Sequence, residues 1–287
     1  KTAYEIPKRD WSSDVCSSDL PDPDIVMYTL AGLVNPDTGW GIQGDTFRVA
    51  EGLKAYGRPV WFNLGDRDLA THIHRSAMLR EGASLSEAIE SIRLGLGLRA
   101  RILPMSDARV ATMLDTDRGL LPLQDYFVRL RAAPVLRGIA FAGASEASPA
   151  PGVLEALKSA EAIFVAPSNP LISIGPVLAV PGIREALRAC RARVFAVSPV
   201  VAGKSLKGPT AKMMTELGLE VSALSVARLY RDFCGTMILD DSDAALKPAI
   251  EALGMNALCC RTVMNCDEDK IGLARFLLSR VSGKDGA

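Results

Sequence analysis

Two kinds of side chain collect where chemistry is feasible. The first is a set of carboxylates, Asp22, Asp24, Asp45 and Asp66. Asp22 and Asp24 stand two residues apart and can hold a divalent cation through water. The alternative is an ordinary helix N-cap, which composition alone favours. The second set lies in two loops, PSNPLISIGP (167–176) and SPVVAGKSLKGP (198–209). The first offers Ser168, Asn169, Ser173 and Gly175; the second offers Gly203, Lys204 and Lys207. Hydroxyls, backbone N–H groups in a Gly-containing loop and lysines suit a polyphosphate. Neither loop has P-loop spacing, so GKS by itself is a weak signal, and surface solvation remains the alternative for the lysines. A phosphoryl-transfer site needs donors for phosphate oxygens, usually Mg²⁺, and an aligned acceptor. The acidic set and the two loops supply those residue types.

Other residues could line such a site. Trp40 sits between glycines in the polar stretch NPDTGWGIQGDTF, where it either covers a flat ligand or plugs a small satellite core. Asp66, Arg67 and Asp68 crowd a helix start, and Asp66 and Asp68 are favourable at its positive end. His72 and His74 are two apart and do not share a helix face, which argues against a paired-histidine metal site. One of them can still touch a ligand.

The elements that must position these residues follow from periodicity. Short apolar runs at Ile163–Ala166, Arg193–Val197, Thr236–Asp240 and Ala257–Val263 read as buried parallel strands, with helical patterns between them. The two polar loops follow the first two of these strands. In an open α/β sheet, ligands bind beyond the carboxyl ends of strands. Helices are expected at Ala211–Leu217, Ala223–Tyr230, Ala244–Leu253 and Lys270–Leu278, the last with Ile271, Ala274 and Leu278 inward. Nearer the start, Ile25, Tyr28, Thr29 and Leu33 form one helical face, and Leu69, Ile73 and Ala77 another. Val60–Leu64 reads as a strand. Ser84 and Glu87 form a capping box before a helix that buries Leu85, Ile89, Ile92 and Leu96. Arg101–Leu103, Arg109–Met113, Leu123–Arg131 and Arg137–Gly143 read as strands, with a turn at Asp115–Gly119. The expected class is therefore α/β: a Rossmann-like, mostly parallel sheet covered by helices, forming a single domain over 21–287. A helical and β-hairpin subdomain is inserted at about 85–143.

Composition sets limits. The 287 residues are 48% hydrophobic and 23% charged, enough for a large core and against global disorder. Lys plus Arg equals Asp plus Glu at 33 each, which disfavours a general nucleic-acid binder. None of the six cysteines forms a CxxC pair, and no apolar stretch reaches transmembrane length. No secretory signal is visible, and a soluble cytoplasmic protein is expected.

Several long motifs in order then point to a family. PDPDIVMYTLAGL, GWGIQGDTF, WFNLGDRDLATHIHR, APSNPLISIGPVLAVPGI, SPVVAGKSLKGPTAKMM and LGLEVSALSVARLY resemble the 2-phospho-L-lactate transferases of coenzyme F420 biosynthesis, from about Asp22 to the C-terminus. The resemblance implies an Mg²⁺-dependent enzyme that joins the deazaflavin precursor Fo to a phospholactyl or phosphoenolpyruvyl group. The donor is that group linked through a diphosphate to guanosine, GMP leaves, and the enzyme is a homodimer. It implies that Asp22 and Asp24 bind metal or Fo and, with Asp66, serve catalysis. It further implies that Trp40, Asp45, Asp66, Asp68 and His72 would line the Fo side, and that Ser168, Asn169, Ser173 and Gly175 would hold the nucleotide diphosphate, assisted by Gly203, Lys204 and Lys207.

The start departs from that pattern. Residues 1–20 read as a disordered tag remnant, or as foreign sequence resembling a translated sequencing adapter, in place of the strand and glycine-rich loop the family implies. The expectation is an inactive or impaired chain with an unpaired, aggregation-prone sheet edge. The alternative function is a nucleotide- or nucleotide-sugar-binding regulator of the same fold, against which the GWGIQGDTF and GDRDLATHIHR stretches argue. A Rossmann dehydrogenase is disfavoured because no GxGxxG follows a strand.

Overall fold

The computed structural model describes residues 23–58, 60, 64–206 and 208–281. Residues 61–63 of the strand expected at Val60–Leu64, the N-terminal segment 1–20, and the candidate residues Asp22 and Lys207 lie outside the described residues. The chain divides into two compact units. One runs through Pro134 and resumes over Ile139–Pro151; the other comprises Val135–Gly138 and the chain from Gly152 onward.

In the first unit four helices precede a small sheet: α1 (Pro23–Leu30), α2 (Arg48–Ala55), α3 (Asp66–Arg80) and α4 (Leu85–Gly95). The capping box forms as expected. The Ser84 hydroxyl accepts the Glu87 N–H, and the Glu87 carboxylate accepts the Ser84 N–H. Behind it Ile89 and Ile92 of α4 pack with Met27 of α1, flanked by Leu85, Leu96, Leu98 and Ile102. This contact fixes the depth of α1. Its buried residues are Asp24, Met27 and Tyr28, whereas Thr29, assigned to the inner face from sequence, is exposed.

Strands β1 (Ala111–Thr116) and β2 (Gly119–Pro122) form an antiparallel hairpin across the expected turn, and β3 (Leu136–Ala142) completes a sheet of order β2-β1-β3. Two expected strands are corrected. Arg101–Leu103 is irregular, and Asp125–Arg129 is a π-helical turn around buried Tyr126. The aromatic pair Tyr126–Phe127 resembles a strand signal, but Tyr126 is fully buried and Phe127 exposed.

The second unit is the α/β layer. Helix α5 (Val153–Ser159) leads to β4 (Ile163–Val165), then α6 (Ile174–Ala179), α7 (Ile183–Ala189) and β5 (Val194–Val197). A two-stranded hairpin follows, β6 (Val200–Val201) and β7 (Lys204–Ser205). Helices α8 (Thr210–Glu216) and α9 (Ala223–Tyr230), strand β8 (Thr236–Asp240), helix α10 (Lys247–Glu251), strand β9 (Asn256–Cys260) and helix α11 (Asp267–Val281) complete it. The sheet is parallel throughout, in the order β4-β5-β8-β9. All five residues of β8 are buried, which explains its near-continuous apolar sequence at an inner position. On one face Val197 and Ile238 pack with Leu273, Phe276 and Leu277. The inward stripe of α11 is therefore Leu273–Phe276–Leu277. Ile271 and Leu278, expected inward, are 48% and 60% exposed. Both stripes have helical spacing, and only the packing chooses between them. No helix among the described residues is long and apolar enough to cross a membrane.

Candidate functional site

Helix α3 turns its polar stripe inward. Asp68, Thr71, His72 and Arg75 recur at i, i+3, i+4 and i+7, the spacing of one helix face. Arg75 is the buried residue of this helix, whereas Ile73, assigned to the apolar face from sequence, is 58% exposed. The partner surface is α1. The Arg75 guanidinium donates to Asp24, whose side chain is 3% exposed. The Tyr28 hydroxyl lies 2.9 Å from Asp68 Oδ1 and 2.8 Å from Thr71 Oγ1. His72 Nε2 sits between two carboxylates, 3.8 Å from Asp24 Oδ2 and 3.7 Å from Asp68 Oδ1.

Burial dominates the electrostatics here. It pushes the Tyr28 hydroxyl far above its usual range, reinforced by the nearby Asp68 and Asp24 carboxylates. Burial also raises the Asp68 carboxyl, assisted by Asp24 and Asp45 and opposed by His72 and Tyr28.

One potential ligand atom each from Asp24, Asp68 and His72 lies within 4.8 Å of the others. Magnesium takes oxygen ligands, keeps several waters, and is commonly bound by one or two carboxylates plus substrate phosphates. The donor set fits on those terms. Asp24 and Asp68 present one oxygen each, and Arg75 offsets part of the negative charge without entering the group.

Asp45 and Asp66 are held differently. The Asp45 carboxylate accepts the N–H groups of Arg67 at 2.9 Å and Asp68 at 3.2 Å, so it caps α3 from a remote loop. Asp66 returns the arrangement. From the first turn of α3 it accepts the N–H groups of Arg48 and Val49, each at 3.1 Å, and the Thr46 hydroxyl at 2.5 Å, capping α2. The Thr46 bond, followed by the Val49 N–H, holds the Asp66 carboxyl below the usual carboxylate range. Trp40 is 56% exposed on the loop before this pair of caps.

In the second unit the expected loop follows β4. Asn169 organises it: Oδ1 accepts the Leu171 and Ile172 N–H groups, and its backbone oxygen accepts those of Ser173 and Ile174. Ser168, Asn169, Ser173 and Gly175 are all half-buried, with Gly175 inside α6. The loop after β5 is the β6–β7 hairpin, with Gly203 and Lys204 exposed at its tip.

The sequence reading missed three polar groups. Arg75 was detectable from the i+7 spacing to Asp68, but an apolar stripe on the same helix competed. Asp240 ends β8 and Asp243 lies in the turn just beyond it, at the carboxyl end of a parallel strand, where DDSD after an apolar run is itself a signal. Asp240 accepts the N–H and hydroxyl of both Ser242 and Thr262. Burial raises its carboxyl, but those four bonds together outweigh burial and hold it below the usual range.

The sequence model of the 2-phospho-L-lactate transferase CofD family matches residues 14–259, most of the chain. The chain belongs to the CofD family. It is 40% identical over 258 residues to the 2-phospho-L-lactate transferase of Methanosarcina mazei, covering 90% of this chain and 84% of that protein. It is 45% identical over 227 residues to a phosphoenolpyruvate transferase of a Mycobacterium species, strain KMS, covering 77% and 69%. As a CofD-family member it is a transferase. Among solved structures, a UPF0052-family protein of Bacillus halodurans matches with a TM-score of 0.56 at 16% identity, covering 91% of this chain and 84% of that one. That likeness supports the α/β fold that the CofD-family sheet displays.

Proposed function

We propose that this transferase acts in coenzyme F420 biosynthesis, moving a phospholactyl or phosphoenolpyruvyl group from a guanosine diphosphate-linked donor to Fo. The observation that carries the reading is the family match across most of the chain, together with relatives of both donor types at 40% and 45% identity. The terminal ribityl hydroxyl of Fo attacks the phosphorus bearing the organic acid. A new P–O bond forms, the P–O bond to GMP breaks, and the hydroxyl proton leaves to a base.

The residues have distinct tasks. Ser168, Asn169, Ser173 and Gly175 bind the nucleotide diphosphate, with Gly203, Lys204 and Lys207 supplying further donors and positive charge. Trp40, Asp45, Asp66, Asp68 and His72 orient Fo. His72 Nε2 lies between the Asp24 and Asp68 carboxylates, and burial raises the Asp68 carboxyl, so these two side chains are the candidates to take the hydroxyl proton. Asp24 and Asp68, with Asp22 as a further candidate, would hold Mg²⁺, which when bound neutralises developing phosphate charge. The working form is a homodimer in the cytoplasm.

Incubating the protein with Fo, Mg²⁺ and each guanylylated donor in turn, while following product mass and GMP, tests this reading. Formation of the matching phosphodiester with stoichiometric GMP is expected from one donor. Nucleotide binding without turnover of any donor would overturn it.

A further inference from the structure

The β6–β7 hairpin is held at both ends by β8 and the turn that follows it. At the base, the Ser198 N–H donates to Ile238 O at 3.0 Å, continuing the parallel ladder one residue past β5. The Ser198 hydroxyl then donates to Val200 O at 2.8 Å and accepts the Val200 N–H at 3.2 Å, which starts the hairpin. At the tip, the Ala202 N–H donates to Asp243 Oδ2 at 3.0 Å. Asp243 is 7% exposed and sits in the 3₁₀ turn Asp241–Leu246 directly after β8.

The tip needs that hold. Val201 pairs with Lys204, leaving a two-residue turn of Ala202 and Gly203. Both have positive φ, 48° and 71°, as the twist of a two-residue hairpin prefers. Glycine adopts this region freely; alanine does not. Ala202 is one of three non-glycine residues with positive φ among the described residues. A strained residue persists where its surroundings over-determine it. Here a buried carboxylate takes the N–H of that residue, two positions before Lys204.

We propose that Asp243 is a positioning residue for the diphosphate-binding arm: by accepting the Ala202 N–H it fixes the hairpin turn that presents Gly203 and Lys204. This inference rests on the reading of the hairpin as a diphosphate grip. Asp243 acts through the turn and does not touch the ligand, since a carboxylate against phosphate oxygens would repel them.

The test measures GDP affinity of the full chain with Mg²⁺ present, alongside KM for donor and for Fo. Lys204→Ala examines the underlying reading: weaker GDP binding supports it, and unchanged GDP binding overturns it whatever Asp243 does. Given weaker binding in K204A, D243A is expected to raise the GDP dissociation constant and donor KM about tenfold, with KM for Fo unchanged. D243N keeps an acceptor oxygen and is expected to stay within about threefold of wild type. Adding A202G to D243A removes the strain that the carboxylate restrains and is expected to recover much of the lost affinity. D243A binding GDP as wild type does would overturn the inference, as would equal loss in D243N and D243A or equal rises in KM for donor and Fo. Should D243A fail to fold, the D243A/A202G double variant and D243N carry the comparison.

Discussion

Arg75 reaches Asp24 across 51 positions of sequence and forms a buried ion pair between α3 and α1. It is the polar counterpart of the Met27–Ile89–Ile92 contact that seats the same helix against α4. Arg75 Nε is itself buried without a hydrogen-bond partner, so the guanidinium is not fully satisfied by its surroundings. Removing one partner of a buried pair strands the other charge. Arg75→Met is expected to destabilise the protein by about 3–5 kcal/mol, more than Arg75→Met adds in the background of Asp24→Asn. Urea unfolding of the two single variants and the double variant measures that coupling. Additive losses would show that the pair contributes nothing beyond packing.

A second expectation follows from Gly65. A Cβ built there would lie 2.1 Å from Asp45 Oδ2, the oxygen that accepts the Asp68 N–H. Gly65 is needed for close approach, since its φ of -72° is open to any residue. Gly65→Ala should therefore push Asp45 off the start of α3 and cost about 1–3 kcal/mol, typical of overpacking and a lost cap. Gly65→Ala in the background of Asp45→Ala should cost much less. A full penalty in that background would place the clash elsewhere.

These two sites show where sequence was sufficient and where it was not. The strands β5 and β8 were legible because an inner parallel strand is buried on both faces and reads as a near-continuous apolar run. The α4 capping box was legible because both of its partners lie within one turn. Helix α3 was misread in orientation: Leu69, Ile73 and Ala77 have helical spacing, but so do Asp68, His72 and Arg75, and the carboxylate on α1 decides between them. Periodicity ranks faces by apolarity and cannot see a buried charge whose partner is 51 positions away. The two capping carboxylates had the same difficulty. Asp45 and Asp66 were recognisable as an acidic set, but their reciprocal capping depends on α2 and α3 starting side by side. The Pro167–Pro176 loop was found by position, because the carboxyl end of a parallel strand is a general place for a polar loop.

The cluster of Asp24, Asp68 and His72 makes a prediction about divalent cations. A ligand that binds only the folded protein raises its melting temperature by mass action. Millimolar Mg²⁺ or Mn²⁺ is expected to raise the Tm of the full chain, and Asp68→Ala is expected to abolish most of that rise. His72→Ala should reduce a Zn²⁺ effect more than the Mg²⁺ effect, because imidazole suits zinc whereas carboxylates suit magnesium. The measurement is a thermal melt at several metal concentrations. A shift that survives Asp68→Ala unchanged would place the cation elsewhere.

Acid should act most visibly at Asp232. It receives Arg184 Nε at 2.8 Å and Nη2 at 2.7 Å, and Arg188 Nε at 2.6 Å, joining the segment after α9 to α7. The Arg184 bonds, opposed by partial burial and joined by Arg188, hold its carboxyl down to about 2. The folded state therefore binds this proton less readily than the unfolded chain. The stabilisation from Asp232 is complete above the ordinary carboxylate range and is lost as pH falls through about 4 toward 2. Asp232→Asn lacks this titration. Wild type should exceed D232N in urea midpoint at pH 7 and at pH 5, and the gap should narrow steadily below about pH 4. A gap that stays constant down to pH 3 would mean that the carboxylate is not held low by the two arginines.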